Sequence, residues 1–140
     1  MKESLAALID VQRNYQQILK KMTKKHSLTI AEWQLMQNIS DGNQTQTQLV
    51  AVTQLDVSTL SRQLGRLVEK KLLAVEKLEE KGAARKKYLY QLTDVGRKAF
   101  EDMQADFFSM SQDLFGPWTK EEQNLLKILL NRLKTSFERI

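Results

Sequence analysis

Residues 45–92 have the sequence TQTQLVAVTQLDVSTLSRQLGRLVEKKLLAVEKLEEKGAARKKYLYQL, and its patterning indicates the architecture of the chain. Its first part contains two segments with helical patterning, 45–52 and 56–70. Only residues 53–55, Thr-Gln-Leu, separate them, and a connection of three residues is typical of a helix-turn-helix. The first part of the stretch therefore predicts that motif.

The pattern changes after the second helix. Residues 73–78 and 87–92 are short segments rich in β-branched, aromatic or other apolar residues, and the charged loop between them contains Gly82. Such a pair of segments predicts a β-hairpin. A helix-turn-helix followed directly by a hairpin predicts a winged helix-turn-helix, in a chain that is mostly α within the α+β class.

The second helix, 56–70, has one apolar and one polar side. At 100° per residue, the apolar side carries Val57, Leu60, Leu64, Leu67 and Val68. The opposite side carries Ser58, Thr59, Arg62 and Arg66, with Ser61 and Gln63 at its margins. Arginine pairs bidentately with guanine, and Ser or Thr near a helix N-terminus reaches phosphates or base edges. The alternative is an ordinary solvated face, but arginines at i and i+4 repel each other unless an anion lies nearby.

Basic residues also surround the hairpin loop. They are Lys77, Lys81, Arg85, Lys86 and Lys87. A basic hairpin beside a recognition helix can follow the phosphate backbone or enter the adjacent minor groove. The alternative is a charged hairpin that keeps an edge strand soluble. The predicted DNA-binding residues, with recognition helix 56–70 and wing 79–87, are Thr45, Thr47, Ser58, Thr59, Ser61, Arg62, Gln63, Arg66, Lys81, Arg85 and Lys86.

Local signals place the remaining helices around this motif. Capping boxes, Ser/Thr followed three residues later by Glu/Gln, begin at Thr29, Thr45 and Thr119, and Asp56 and Thr93 are expected to be simple N-caps. The further helices are predicted at 3–25, 29–40, 94–115 and 119–138. The expected organisation is a single unit, 1–140, with a DNA-binding lobe at 29–92 and a helical dimerisation region at 1–25 and 94–140.

The last helix is apolar on more than one face. Its apolar residues are Leu125, Leu126, Ile128, Leu129, Leu130, Leu133, Phe137 and Ile140. Together with the neighbouring terminal helices, this exceeds what a small winged domain can cover, so a symmetric homodimer is expected. The alternative is that the helices pack only on their own subunit. A dimer would place two recognition helices about one DNA turn apart, which suits a pseudo-palindromic site.

The chain resembles the bacterial multiple-antibiotic-resistance regulator (MarR) family. Four segments carry the resemblance: LVAVTQL at 49–55, STLSR at 58–62, LVEKKLL at 67–73 and YQLTDVG at 90–96. The resemblance implies a homodimeric winged-helix transcriptional regulator, in most cases a repressor, that binds a double-stranded operator. It also implies a small-molecule effector that alters the spacing of the DNA-binding lobes.

The sequence departs from the family pattern in three respects. The wing has Ala84 and Lys86 around Arg85, where the family carries an acid that braces the DNA-contacting arginine. Lys71 stands where a glycine commonly ends the recognition helix, and a left-handed conformation there would cost about 1 kcal/mol. Gly65 lies inside the helix at a similar cost, which either a close approach to another backbone or a tolerated defect would explain.

Composition limits the other classes of function. The 140 residues carry a formal net charge of +5 and include no cysteine and one histidine. Thiol redox chemistry is therefore excluded, and a zinc site or an acid–base active site has few candidate ligands or groups. Neither a cofactor nor an enzymatic activity is expected, and no stretch is apolar enough to span a membrane, so we expect a cytoplasmic protein. The main alternative to a DNA-binding regulator is a winged-helix protein-interaction module that binds no DNA.

Overall fold

The computed structural model describes residues 1–78 and 87–140. The described residues form helices α1 (Ser4–Lys25), α2 (Ile30–Ser40), α3 (Gln46–Thr53), α4 (Val57–Glu69), α5 (Asp94–Phe115) and α6 (Lys120–Glu138), with strands β1 (Leu73–Leu78) and β2 (Lys87–Leu92). Each helix or strand lies within one residue of its predicted bounds. The mostly α winged helix-turn-helix fold is thereby confirmed.

The three predicted capping boxes are all present. At Thr29, Thr45 and Thr119 the hydroxyl oxygen accepts a hydrogen bond from the backbone amide three residues on. The Glu or Gln at that later position accepts a hydrogen bond from the Thr amide in return. Because each box satisfies two backbone amides at a helix start, these local patterns fix where α2, α3 and α6 begin.

The chain divides into two compact units, Met1–Ala105 and Asp106–Ile140, and each is described by itself. The first unit holds the buried core. Its members are Leu28, Leu35, Met36, Ile39, Leu49, Leu60, Leu64, Leu67, Leu72, Leu73 and Phe100. They come from α2, α3, α4, β1, α5 and the connections between them, so the recognition helix is anchored through its apolar side.

The hairpin is antiparallel, with Leu73 opposite Leu92 and Leu78 opposite Lys87. The Tyr90 amide also donates a hydrogen bond to the Gln44 carbonyl at 2.9 Å. That bond ties β2 to the connection between α2 and α3, which places the hairpin beside the helix-turn-helix.

Val57 departs from its predicted place on the apolar side of α4. It is 60 % exposed, whereas Leu60, Leu64 and Leu67 are buried. Val57 is the first residue of the helix, and the contacts of α4 with the core begin one turn later. Helical periodicity alone therefore misplaced this residue.

The junction between α4, β1 and α5 is tightly packed. Lys71 has a φ of 62°, so the left-handed conformation considered from the sequence is present. The Thr93 hydroxyl donates to the Lys71 carbonyl at 2.6 Å and accepts from the Gly96 amide at 3.0 Å, which confirms Thr93 as an N-cap. A Cβ on Gly96 would lie 2.0 Å from the Leu72 carbonyl oxygen, so only glycine fits there.

The second unit has no buried residue. Its large exposed apolar side chains are Phe108, Leu114, Trp118, Leu125, Ile128, Leu129, Leu130, Phe137 and Ile140. The Phe115 and Trp118 rings meet edge to face, with centroids 5.2 Å apart, at the turn between α5 and α6. The described helices include none that is long and apolar enough to cross a membrane.

Candidate nucleic-acid interface

The turn between α3 and α4 sets the direction of the second helix. The Thr53 hydroxyl donates to the Leu49 carbonyl at 2.6 Å and accepts from the Leu55 amide at 3.3 Å. Gln54, between them, has a φ of 57°, a left-handed conformation that ends α3 sharply. Because the apolar side of α4 lies in the core, the polar side of α4 faces solvent.

Asp56 organises the N-terminus of α4. Its carboxylate accepts hydrogen bonds from the Thr59 amide at 2.7 Å, the Ser58 hydroxyl at 2.7 Å and the Thr59 hydroxyl at 2.9 Å. The Thr59 amide, followed by the two hydroxyls, holds the pKa of the Asp56 carboxyl at about 2. Asp56 is therefore an anion at neutral pH, and its position as the N-cap is confirmed.

This arrangement decides what Ser58 and Thr59 can offer to a ligand. Both hydroxyl hydrogens are directed at Asp56, so the hydroxyl oxygens present lone pairs to the outside. Phosphate oxygens are acceptors only, and a hydroxyl must leave Asp56 before it can donate to one. The exocyclic amino groups of adenine and cytosine are donors and fit the geometry as it stands.

Arg62 and Arg66 extend from the same side of α4 and are exposed. Within the part of the chain that the structure describes, neither guanidinium has a hydrogen bond or an ion pair. The positive charge of Arg62 makes a small further contribution to the lowered pKa of the Asp56 carboxyl. Glu69, also exposed, lies at the C-terminal end of this side. Two cations one turn apart, both open to solvent, form an anion-binding surface.

The remaining predicted contact residues are divided between α3 and α4. The Ser61 hydroxyl oxygen accepts a hydrogen bond from the Gln46 side-chain amide at 2.8 Å, which joins α3 to α4 on the outward side. The Thr45 hydroxyl belongs to its capping box, Thr47 is exposed, and Gln63 is half-buried. The structure thus brings the start of α3 beside the second turn of α4, with Ser61 held by the Gln46 side chain.

The predicted wing is described only at its base. Lys77 and Lys87 are exposed, at the ends of β1 and β2 that border residues 79–86. Lys81, Arg85 and Lys86 lie outside the described residues, as does the loop at 79–86. The described part of the candidate interface consequently consists of α3, α4 and the base of the hairpin. No group of His, Cys, Asp or Glu in 1–78 or 87–140 could hold a metal ion.

Sequence reasoning missed two residues of this surface. Asp56 was recognised as a cap but not as the acceptor for both neighbouring hydroxyls, although the spacing Asp-x-Ser-Thr is the signal for it. Gln46 was not singled out. Its bond to Ser61 depends on how α3 and α4 cross, and no local pattern encodes that.

Comparison with known proteins shows a similarity to one family of regulators. The sequence model of the MarR family matches residues 26–85, which hold α2, α3, α4, β1 and residues 79–85 of the predicted wing. These residues are therefore similar to a MarR-family domain. Members of the family are transcription regulators rather than enzymes. The comparison with curated protein sequences gave no significant match.

Solved structures share the fold along nearly the whole chain. MarR of Escherichia coli in its apo form is 25 % identical, with a TM-score of 0.69, over 95 % of this chain and 98 % of that one. MepR of Staphylococcus aureus in complex with DNA is 18 % identical, with a TM-score of 0.80, over 98 % and 99 %. MarR of S. aureus in complex with salicylate and kanamycin is 17 % identical, with a TM-score of 0.82, over 96 % and 90 %. The MarR-type fold therefore includes the terminal helices as well as the matched domain.

Proposed function

We propose that this chain is a homodimeric transcriptional repressor of the MarR type that acts on DNA in the cytoplasm. In this proposal α4 lies in the major groove of a pseudo-palindromic operator. Residues 79–87 lie against the adjacent backbone or minor groove. The observation that carries the proposal is the outward side of α4, where two guanidiniums are exposed without a partner in the described chain.

We expect one of the two arginines to contact a base and the other to contact the phosphate backbone. A guanidinium presents a rigid fork of donors that matches guanine O6 and N7, or the oxygens of a phosphate. Arg62 lies nearer the helix N-terminus, the end that enters the groove most deeply in helix-turn-helix proteins, so we assign it to a base. Arg66, one turn later, is assigned to the phosphate backbone.

Ser58 and Thr59 add acceptors beside these donors. Because their hydroxyl hydrogens are held by Asp56, they suit the amino groups of adenine or cytosine. The negative charge of Asp56 also disfavours a phosphate at the helix start. The N-terminus of α4 is thus expected to face base edges rather than a strand backbone.

In this proposal a second copy of the chain buries the exposed apolar side chains of the terminal helices. Units below about 40 residues rarely fold without further support, and Asp106–Ile140 has no buried residue despite its many large apolar side chains. In the first unit, α1 exposes Leu5, Ile9, Val11, Tyr15 and Ile18. An isologous contact between two copies would remove these surfaces from water and pair the recognition helices.

Release by a small molecule completes the proposal. The S. aureus MarR structure contains salicylate and kanamycin, so this fold accommodates small ligands. The first unit here has an open groove of about 450 Å³ along α1 and the start of α2. It is lined by Lys20, Thr23, Lys24, Leu28, Thr29, Ile30 and Ala31. Two lysines above an apolar floor suit an aromatic carboxylate, and salicylate is the probe with which to test release.

The experiment is selection of bound fragments from genomic DNA, followed by gel-shift titration of wild-type and variant proteins. Arg62→Ala is expected to weaken cognate binding by about 1–3 kcal/mol and to relax base preference at one position. Lys21→Ala, which removes an exposed positive charge from α1, should leave both unchanged. With about 6–10 phosphate contacts per dimer, affinity should fall roughly 10³–10⁵-fold between 50 and 200 mM salt. Failure of every fragment to shift would overturn DNA binding and favour a protein-interaction module.

A further inference from the structure

Gly65 leaves an open place in the middle of the outward side of α4. Ser58, Arg62, Gly65 and Glu69 follow one another along a single line on the helix, at spacings of three or four residues. Gly65 is exposed, and a Cβ added to it would meet no atom within 4 Å. The line of side chains therefore has a gap between Arg62 and Glu69.

The described chain itself gains nothing from this glycine. Gly96 shows the contrast, since a Cβ there would collide with the Leu72 carbonyl. Gly65 has helical backbone geometry, so it needs no special conformation. In an exposed helix interior, glycine is less favourable than alanine. Any advantage of Gly65 must therefore arise when something else lies against α4.

We infer that Gly65 is a positioning residue whose bare Cα lets α4 seat against the base-pair edges of the major groove. This inference rests on the proposed function. Without a side chain, the groove floor can approach the helix backbone to ordinary carbon contact, roughly 3.5–4.0 Å. Any side chain at this position would occupy that space and hold the helix away. Glycines serve the same purpose where a backbone approaches a pyrophosphate.

The close approach of α4 at Gly65 allows Arg62 to reach a base. It lies three residues before Gly65, which is about 4.5 Å along the helix axis, and on the same side. A bidentate contact with guanine needs both donor–acceptor distances near 2.9 Å. A side chain at position 65 would move the helix away from the base and break this contact. Arg66 is assigned to the backbone and can follow the phosphates with its flexible stem.

The test compares Gly65→Ala and Gly65→Gln with the wild type in two measurements. Both variants should be more stable than the wild type, with the melting temperature raised by a few degrees, because both residues favour the helix. Affinity for the selected operator should fall, by roughly tenfold for alanine and up to about a hundredfold for glutamine, the range lost with a bidentate base contact. Affinity for random DNA should change by less than about twofold.

Two controls separate this role from a general effect of helix stability. Gln34→Ala, at an exposed position of α2, also raises helix propensity and should leave operator affinity unchanged. In the double variant Arg62→Ala/Gly65→Gln, the losses should not add, because both remove the same base contact.

The outcomes distinguish this inference from the proposed function. If Gly65→Gln binds the operator as tightly as the wild type, the positioning role is overturned while DNA recognition by α4 stands. If the losses of the two single variants add in full, Gly65 does not act through Arg62 and the inference is overturned as stated. If the wild type binds no duplex, both fail together.

Discussion

The Lys70 ammonium nitrogen lies 2.8 Å from Oε1 of Glu32, and this contact joins the C-terminal end of α4 to the capping box of α2. The same nitrogen lies 3.2 Å from the Ser27 carbonyl oxygen. The Glu32 side chain is only 5 % exposed, and its second oxygen has no hydrogen-bond partner in the described chain. Lys70 therefore provides the positive charge beside a buried carboxylate and holds the recognition helix to the core.

Lys70→Met should destabilise the first unit by about 1–3 kcal/mol, because the Glu32 charge would remain buried without its partner. Urea denaturation measures the loss. Lys98→Met is the matched control: it breaks the pair with Asp102, in which both side chains are largely exposed, and should cost less than about 1 kcal/mol. Equal losses in the two variants would show that burial of Glu32 does not matter. Adding Glu32→Gln to Lys70→Met should recover part of the loss, since glutamine keeps the capping box without the charge.

Gly96→Ala should destabilise the fold by at least about 1–3 kcal/mol. Its Cβ would lie 2.0 Å from the Leu72 carbonyl oxygen, and backbone on both sides must move to relieve the overlap. Gly65→Ala is the same substitution in a helix with open space and should stabilise instead. Chemical denaturation of both variants checks the signs. A gain in stability for Gly96→Ala would contradict the close packing of α5 on the turn after α4.

Most of this fold could be predicted because its signals are local. Thr29, Thr45 and Thr119 each begin a helix through a hydrogen-bond exchange completed within four residues, so sequence spacing contains all that is needed. The strand bounds follow from short apolar runs. Val57 was misplaced because its burial depends on which element lies beside the first turn of α4, and that is a tertiary property.

The candidate site was less predictable than the fold. Helical periodicity placed Arg62 and Arg66 correctly on the outward side, because their neighbours Leu60, Leu64 and Leu67 form the buried side. The bond between Gln46 and Ser61 spans fifteen residues and depends on the crossing of two helices. The open space around Gly65 likewise depends on the tertiary structure, so the sequence alone does not predict it.

The stability that Asp56 contributes should depend on pH in a defined window. Its hydrogen bonds hold the pKa at about 2 in the folded state, below the value of 3.8 expected without them. A lowered folded pKa stabilises the folded state above about pH 4, and the contribution disappears as the pH falls towards 2. The difference in unfolding free energy between wild type and Asp56→Asn should therefore favour the wild type most at pH 6 and shrink steadily as the pH falls from about 4 towards 2.

The measurement is a series of urea denaturations of the two proteins between pH 6 and pH 2.5. The pKa of Glu122 is also lowered, by the Thr119 amide, but Glu122 titrates in both proteins and drops out of the difference. Asparagine remains a good N-cap, so the start of α4 is retained in the variant. A difference that does not change with pH would show that the charge of Asp56 adds nothing to the cap.

Leu129→Glu on α6 should convert the proposed dimer to monomers. Leu129 is 49 % exposed, and Leu125, on the same side one turn earlier, is 55 % exposed. Burial of one leucine contributes about 1.5–3 kcal/mol, and a symmetric contact contains two copies of each residue. Dimer affinity should therefore fall by at least about a hundredfold. Operator affinity should fall with it, because the two half-sites are no longer bound by one molecule.

Sedimentation equilibrium across a range of concentrations tests this, with Lys127→Glu as the control that adds a negative charge at an exposed polar position of the same helix. That control should remain dimeric. A wild-type protein that stays monomeric at micromolar concentration would refute the dimer, and the apolar side chains of α6 would then need another cover. A Leu129→Glu protein as dimeric as the wild type would instead place the contact on other residues, with α1 the next helix to substitute, at Ile9.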